Sequence, residues 1–332
     1  MTHHKILFRV LVFFTLVAFF FVPAATAAKT IKLAHVNAPK HPTNLGALKF
    51  KELVEAKSKG EIKVKVYPAA QLGNVDIQLA AVKTGEIQAA FSTYPKMGDL
   101  VKDFAILTAG YVFRDFQHQR AVFNSSLGKS WEKVLIQNGG LRVLSSIYYG
   151  VRHLTTTKKA IYHPRDLKGL KIRSVTNPMS QAVVKGLGAT PTPIPFPELF
   201  NALRQGIVDG QENPLSVIWN KKLYELQKYL ILTGHQVISL PLIMNNEFFK
   251  SLSPNQQKIV KDAAQEACTY GSKKAVDAEN SLLENVKGKG VNVISEKNGL
   301  DQKAFRKSVI KVVRERFEDK LGKELFEKVA KY

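Results

Sequence analysis

The sequence is poor in cysteine and in acidic side chains. One Cys, Cys268, stands in 332 residues, which excludes a disulfide framework and any cysteine-rich metal site within one chain. Asp and Glu number 27 against 49 Lys and Arg, so the formal net charge is +22. Past the N-terminal segment no run is long and apolar enough to span a bilayer, which takes about 20 residues. Internal repeats and low-complexity linkers are lacking as well. What is there is an ordinary globular balance, 45% hydrophobic and 23% charged. That balance excludes a disordered chain, a collagen-like repeat and a multi-span membrane protein. The length accommodates two ordinary domains with a large core.

Catalytic signatures are missing or broken. Gly128-Lys129-Ser130 resembles the end of a phosphate loop, but Phe123 occupies the position that needs glycine. Gly186-Leu187-Gly188 starts a dinucleotide fingerprint that Pro191 interrupts. No G-x-S-x-G elbow and no H-E-x-x-H occurs. The histidines are scattered, and His35 and His41 do not have the spacing of a metal pair. Cys268 lies in a helical run and reads as a packed small residue. Neither a catalytic residue, a metal site nor a cofactor is expected.

The first segment reads MTHHKILFRVLVFFTLVAFFFVPAATAAKT. Lys5 and Arg9 precede an apolar run from Val10 to Val22, broken only by Thr15. Pro23 ends it and Ala25-Thr26-Ala27 is a small-x-small cleavage signal. Residues 1–27 are therefore expected to be a secretory signal peptide, and the mature protein to be periplasmic. Cleavage removes Lys5 and Arg9, taking +22 to +20. The remaining basic residues are not bunched into one arm, and nucleic acid is not an expected partner. Most of the lysines read as solvated surface.

The mature chain begins with strand Ile31–Val36, helix Asn44–Lys57, strand Ile62–Val66, helix Asn74–Thr84 and strand Ile87–Phe91. This βαβαβ order predicts a parallel sheet with helices on its faces. A second unit has strands Arg142–Tyr148 and Leu170–Val175, helix Pro178–Gly186 and a helix starting at Pro197. Asn213–Leu230 reads as mostly helical. Two long helical stretches, Pro254–Val286 and Asp301–Val329, flank strand Val291–Ser295. The expected fold is α/β and two-lobed, with more than one chain crossing between lobes and a cleft beyond the strand ends.

The most informative stretch is Tyr149–His235. It carries Gly150-Val151-Arg152, then Asp166-Leu167-Lys168-Gly169-Leu170-Lys171-Ile172-Arg173, then Pro195-Phe196-Pro197-Glu198. It continues with Asp209-Gly210-Gln211-Glu212-Asn213-Pro214 and Thr233-Gly234-His235, and Gln71-Leu72-Gly73 precedes it. This ordered set resembles the DctP-type solute receptors of tripartite ATP-independent periplasmic (TRAP) transporters, over nearly all of the mature chain. The resemblance implies a type II-like periplasmic-binding-protein fold. Each lobe has a mixed, mainly parallel sheet flanked by helices, and a long helix spans both. Lobe I takes residues 28–149 plus about 239–278, and lobe II takes 150–238 plus about 279–332. The implied function is to bind a small organic acid between the lobes and deliver it to a membrane permease of small and large subunits. The family's carboxylate-pairing Arg falls on Arg173. A guanidinium fork suits that task, because its planar donors match both carboxylate oxygens and stay charged. Arg152 and Asn213 match further ligand contacts, and Phe196 matches an aromatic that packs on the ligand. His35, Asn37, Asn74, Asp76 and Ser92 are first-lobe candidates, and Gln236 lies near an expected hinge crossing. Asp76 is shorter than the Glu many members carry nearby. Ser92 replaces the Glu of sialic-acid-type members, which weakens a sialic acid assignment. Tyr148, Tyr149 and Trp219 are candidates for the cleft wall or the core. Sugar acids, dicarboxylates and keto or hydroxy acids all remain open as ligands. Arg152 and the polar first-lobe set lean toward an oxygen-rich acid. An exported enzyme on an organic acid and a ligand-presenting sensor are the alternatives.

Overall fold

The computed structural model describes residues 28–332; the expected signal peptide lies outside the described residues. The first run is β1 (Lys29–Ala34), α1 (Pro42–Lys57), β2 (Ile62–Tyr67), α2 (Val75–Thr84) and β3 (Ala89–Phe91). In β2 the pleat buries Ile62 and Val64 and exposes Lys63 and Lys65, the period-two pattern of a half-buried strand. Asn74 caps α2, its side-chain oxygen accepting the Asp76 and Ile77 N–H groups, and Gly85 ends the helix at φ 81°. Helices α3 (Phe116–Asn124) and α4 (Ser126–Gly139) lead into the long strand β4 (Leu141–Thr156).

The second unit follows: β5 (Lys171–Ser174), α5 (Pro178–Leu187), β6 (Thr190–Pro193), α6 (Leu199–Arg204), β7 (Gly210–Pro214) and α7 (Leu215–Asn220). A second long strand, β8 (Tyr229–Asn245), returns across the molecule. The chain closes with α8 (Asn246–Ser251), α9 (Pro254–Gly288), β9 (Asn292–Ile294), α10 (Gln302–Leu321) and α11 (Lys323–Lys331). Ser253 starts α9 with a capping box to Gln256, and Pro254 occupies its first turn.

The strands form one sheet in the order β2-β1-β3-β8-β4-β7-β5-β6, with β9 on β8. Parallel pairs sit at the two ends, and the antiparallel ladder of β4 and β8 joins them. The mixed, mainly parallel α/β architecture expected from the sequence is thus present. Two hydrophobic cores lie on opposite faces of the sheet. Ala90, Tyr148 and Ile243 belong to one; their chain neighbours Phe91, Ile147, Tyr149, Leu242 and Met244 belong to the other.

Three expectations need correction. Asn213–Leu230 is not mostly helical: Asn213 lies in β7 opposite His153, α7 has six residues, and β8 starts at Tyr229. The helix-like apolar spacing there serves short turns packed on a sheet. The strand expected to end at Tyr148 continues to Thr156. The final helix breaks at Gly322, whose φ is 84°. In addition, Lys102–Thr108 and the Gly110 turn pack on α5 and α10, so the first half of the chain reaches onto elements of the second.

Helix α9 lies along the half of β4 that β7 does not pair. The Tyr148 N–H donates to Ser272 Oγ at 2.8 Å, which satisfies an edge donor. A stripe of small residues, Ala263, Ala264, Ala267 and Gly271, makes the close approach possible. A Cβ on Gly271 would stand 2.2 Å from Ile147 Cδ1.

Buried neutral histidines link this fold to pH. Burial lowers His35 from 6.5 to about 4, against a hydrogen bond from its Nε2 to Asn44 Oδ1 that acts to raise it. Burial lowers His41 and His153 to about 3. Each folded value lies below the unfolded one. Stability is therefore complete above pH 6.5 and is lost as pH falls toward the folded values. Each histidine contributes a slope of up to about 1.4 kcal/mol per pH unit. Calorimetric melting temperatures should be flat from pH 8 to 7 and fall steeply from 6 to 4. An unchanged melting temperature between pH 7 and 5 would contradict this.

Candidate functional site

The ladder of β4 and β8 is irregular where the two halves meet. Its register shifts between Tyr148 and Gly150 and again between Arg152 and Leu154. Gly150 has φ 126°, and a Cβ there would stand 2.7 Å from Pro214 Cβ, so the bend requires glycine. At the second shift His153 alone stands against the β8 residues 232–235, an arch in which Thr233 and His235 stay buried. Gly234 takes φ 56° and its N–H donates to His153 Nδ1 at 3.2 Å.

A cavity of about 80 Å³ lies beside this irregularity. Its wall comes from the ends of β3, β5 and β7, from the middle of β4 and β8, from the loop after β1 and from the start of α2. Asn37, Asn74, Asp76, Ser92, Arg152, Arg173, Phe196 and Asn213 all contribute. Eight of the ten sequence candidates thus meet here, from positions up to 176 residues apart. His35 and Gln236 do not line it. Burial keeps His35 neutral inside the core, where its Nε2 lies 3.0 Å from Asn44 Oδ1 and its Nδ1 accepts the Asn37 N–H. It positions Asn37. Gln236 is buried and donates through Nε2 to the Thr108 carbonyl. Of the three undecided aromatics, Tyr149 lines the cavity, whereas Tyr148 and Trp219 do not. The Tyr148 hydroxyl donates to Glu279 Oε1 at 2.6 Å, and Trp219 stacks on Tyr224.

The two arginines differ in their partners. Arg152 is neutralised by Glu212: its Nε and Nη2 both donate to that carboxylate, with Nη2–Oε1 at 2.9 Å. Burial works to raise the Glu212 carboxyl, but Arg152 and a contact from His235 Nε2 outweigh it and hold the carboxyl down at about 2. Arg173 is 1% exposed. Its Nε donates to the Ile194 carbonyl at 2.9 Å, and its Nη1 is buried with no hydrogen-bond partner among the described residues. Burial lowers Arg173 from 12.5 to about 10, with the more distant Glu212 opposing. A buried guanidinium with free donors is costly unless an anion completes it.

Other atoms on the wall share that condition. Asn37 Nδ2, Ser92 Oγ and Thr93 Oγ1 are buried without partners among the described residues. Buried polar atoms are nearly always paired, so their clustering in one cavity marks it as built for a polar guest. The Tyr149 hydroxyl donates to Asn37 Oδ1 at 2.8 Å and fixes that amide. Burial pushes the Tyr149 phenol up, so it remains a donor.

Sequence reasoning missed Lys96, Glu212 and Thr93. Lys96 Nζ pairs with Asp76 at 2.6 Å and also donates to Thr176 Oγ1 at 2.7 Å. It thereby ties the α2 side of the cavity to the loop after β5. A short 3₁₀ turn, Tyr94–Met97, carries it, and no sequence pattern marks that turn. A larger concavity of about 520 Å³ lies between α3, α4 and α9. Its Arg120, Lys129, Lys273 and Asp277 are exposed. None of the unpartnered buried atoms lines it.

Known proteins resemble this chain in sequence and in fold. Residues 33–320 match the family model DctP, described as bacterial extracellular solute-binding protein, family 7. The 2,3-diketo-L-gulonate-binding periplasmic protein YiaO of Escherichia coli is 32% identical over 297 residues, covering 90% of this chain and 89% of the relative. A TRAP periplasmic solute-binding protein of Actinobacillus succinogenes, solved with bound L-galactonate, is 32% identical with a TM-score of 0.86. That match covers 91% of this chain and 98% of the other. One from Sulfurospirillum deleyianum, solved with bound succinate, is 30% identical with a TM-score of 0.84, covering 92% and 99%. With its sheet order, its strand-borne arginine and a family match over most of its length, this chain belongs to the DctP family of bacterial extracellular solute-binding proteins.

Proposed function

We propose that this protein is the periplasmic receptor of a TRAP transporter. It captures a small organic acid at Arg173 and hands it to a permease of small and large subunits. The carrying observation is the Arg173 guanidinium, buried at the cavity with Nη1 unpartnered. A carboxylate there would receive charge-assisted hydrogen bonds in a site screened from water. Asn213 and Asn37 would bind its second oxygen or a neighbouring polar group, and Phe196 would cover its body. The relatives named above bind 2,3-diketo-L-gulonate, L-galactonate and succinate, each of which carries a carboxylate. Export through residues 1–27 delivers the protein to the periplasm.

Two halves, 28–149 with about 239–278 and 150–238 with about 279–332, would close on the acid. The Tyr148–Gly150 shift and the arch at 232–235 supply the bend points. No chemistry is done on the ligand. In support, burial pushes the Cys268 thiol up to about 12. A thermal-shift screen against organic acids tests the reading. An acid at 100 times its dissociation constant should add about 2.7 kcal/mol, or roughly 4 °C in a chain of this size. A screen in which no carboxylate raises the melting temperature would overturn the reading.

A further inference from the structure

Three cations stand on the cavity wall, and two are already neutralised. Arg152 is held by Glu212 and Lys96 by Asp76. Among the described residues Arg173 has no carboxylate partner, so the wall offers one uncompensated positive charge. Lys221 lies outside the lining, with its Nζ 4.5 Å from the centre of the Phe196 ring. The rest of the wall is largely apolar: Val75, Phe91, Val175, Phe196, Ile238 and Leu240. Unpartnered oxygens and an amide are few, at Ser92, Thr93 and Asn37. Resting on the receptor reading above, we infer that the site selects a compact monocarboxylate. Its chemical class is a 2-oxo or 2-hydroxy acid with a short branched apolar body. The Lys96–Asp76 pair is the device that turns dicarboxylates away.

The physical argument is a charge balance. A second carboxylate in this cavity would be buried largely against aliphatic and aromatic carbon, with no unpaired cation other than Arg173 among the lining residues to meet it. It could recruit Lys96 only by displacing Asp76 and breaking the tie to Thr176. A polyhydroxylated chain would need a partner for every hydroxyl, more than the unpartnered Asn37, Ser92 and Thr93 atoms supply. A branched apolar body loses nothing there and gains from burial. The lean toward an oxygen-rich acid rested on Arg152 and on polar groups such as His35. Arg152 is occupied, and His35 is turned into the core.

Calorimetric titration with four probes tests the inference: 3-methyl-2-oxobutanoate, 2-hydroxy-3-methylbutanoate, succinate and L-galactonate. The branched monocarboxylates should bind at least 10-fold tighter than the other two. The variant Asp76→Asn, checked for folding by circular dichroism, frees Lys96 and should tighten succinate binding about 10-fold or more. Succinate or L-galactonate binding as well as the branched acids overturns the selection while leaving the receptor reading intact. Unchanged succinate affinity in Asp76→Asn overturns the role of the Lys96–Asp76 pair. If none of the four binds but the wider screen finds another acid, the selection alone falls. If the wider screen also finds none, both fall.

Discussion

Arg173→Ala should abolish measurable acid binding and leave the unliganded protein as stable as before, or more so. Two opposite effects follow from one burial. In the unliganded protein the guanidinium is fully buried, and its lowered pKa of about 10 against 12.5 shows that the folded state disfavours its charged form. A depression of that size corresponds to roughly 3 kcal/mol of destabilisation at neutral pH. Removing the side chain relieves it, at the expense of one hydrogen bond to Ile194 and of packing. In the complex the same removal leaves a carboxylate buried without its partner. That costs about 3–5 kcal/mol, or roughly 100-fold to several-thousand-fold in affinity. Calorimetry and thermal melting of the same variant read both effects. Retained affinity would remove Arg173 from the site. A strong loss of unliganded stability would show that its role is structural.

Glu212→Gln should do the reverse and act mainly on the fold. The substitution keeps the shape of the side chain but removes the countercharge of Arg152, which is 5% exposed. Breaking one side of a buried pair costs about 3–5 kcal/mol, roughly 5–8 °C of melting temperature in a chain of this length. The pair is also a pH element. Because the folded Glu212 carboxyl lies at about 2 against its ordinary value of 4.5, its stabilising contribution is present above pH 4.5. That contribution is lost as pH falls toward 2. Glu212→Gln should lack that part of the acid dependence. A double variant, Arg152→Met with Glu212→Leu, should be more stable than Glu212→Gln, since it leaves no buried charge unpaired. A Glu212→Gln protein that melts within a degree or two of the parent would contradict this assignment.

These two predictions concern residues that differ in how far the sequence reveals them. Arg173 is legible because it stands in a continuous motif ending a strand whose boundaries are marked by Gly169 and Pro178. The local elements are legible for similar reasons. Alternating Ile62, Val64 and Val66 announce β2, and Ser253-Pro254 with Gln256 announces the start of α9. The partner of Arg152 is not legible. Glu212 lies 60 residues away, and only the antiparallel pairing of β4 with β7 brings them together.

Strand β8 is hidden for a different reason. Nearly all of its residues are buried, whichever face they point to, so no period-two pattern survives in the sequence. The long ladder of β4 and β8 that fuses the two units into one sheet was therefore invisible. His35 and Gln236 show the converse failure. A polar residue near a strand end can face a cavity or the core, and sequence does not state which. Asn44 and Thr108, distant or unremarked partners, settle both toward the interior.

The central claim is that one buried, uncompensated guanidinium receives the carboxylate of a small acid between the two halves. A crystal structure of the protein with its tightest-binding acid tests it most directly. The account predicts the ligand carboxylate within hydrogen-bond distance of Arg173 Nη1, with Arg152 still paired to Glu212. A carboxylate held elsewhere, with Arg173 Nη1 still unpartnered, would contradict it.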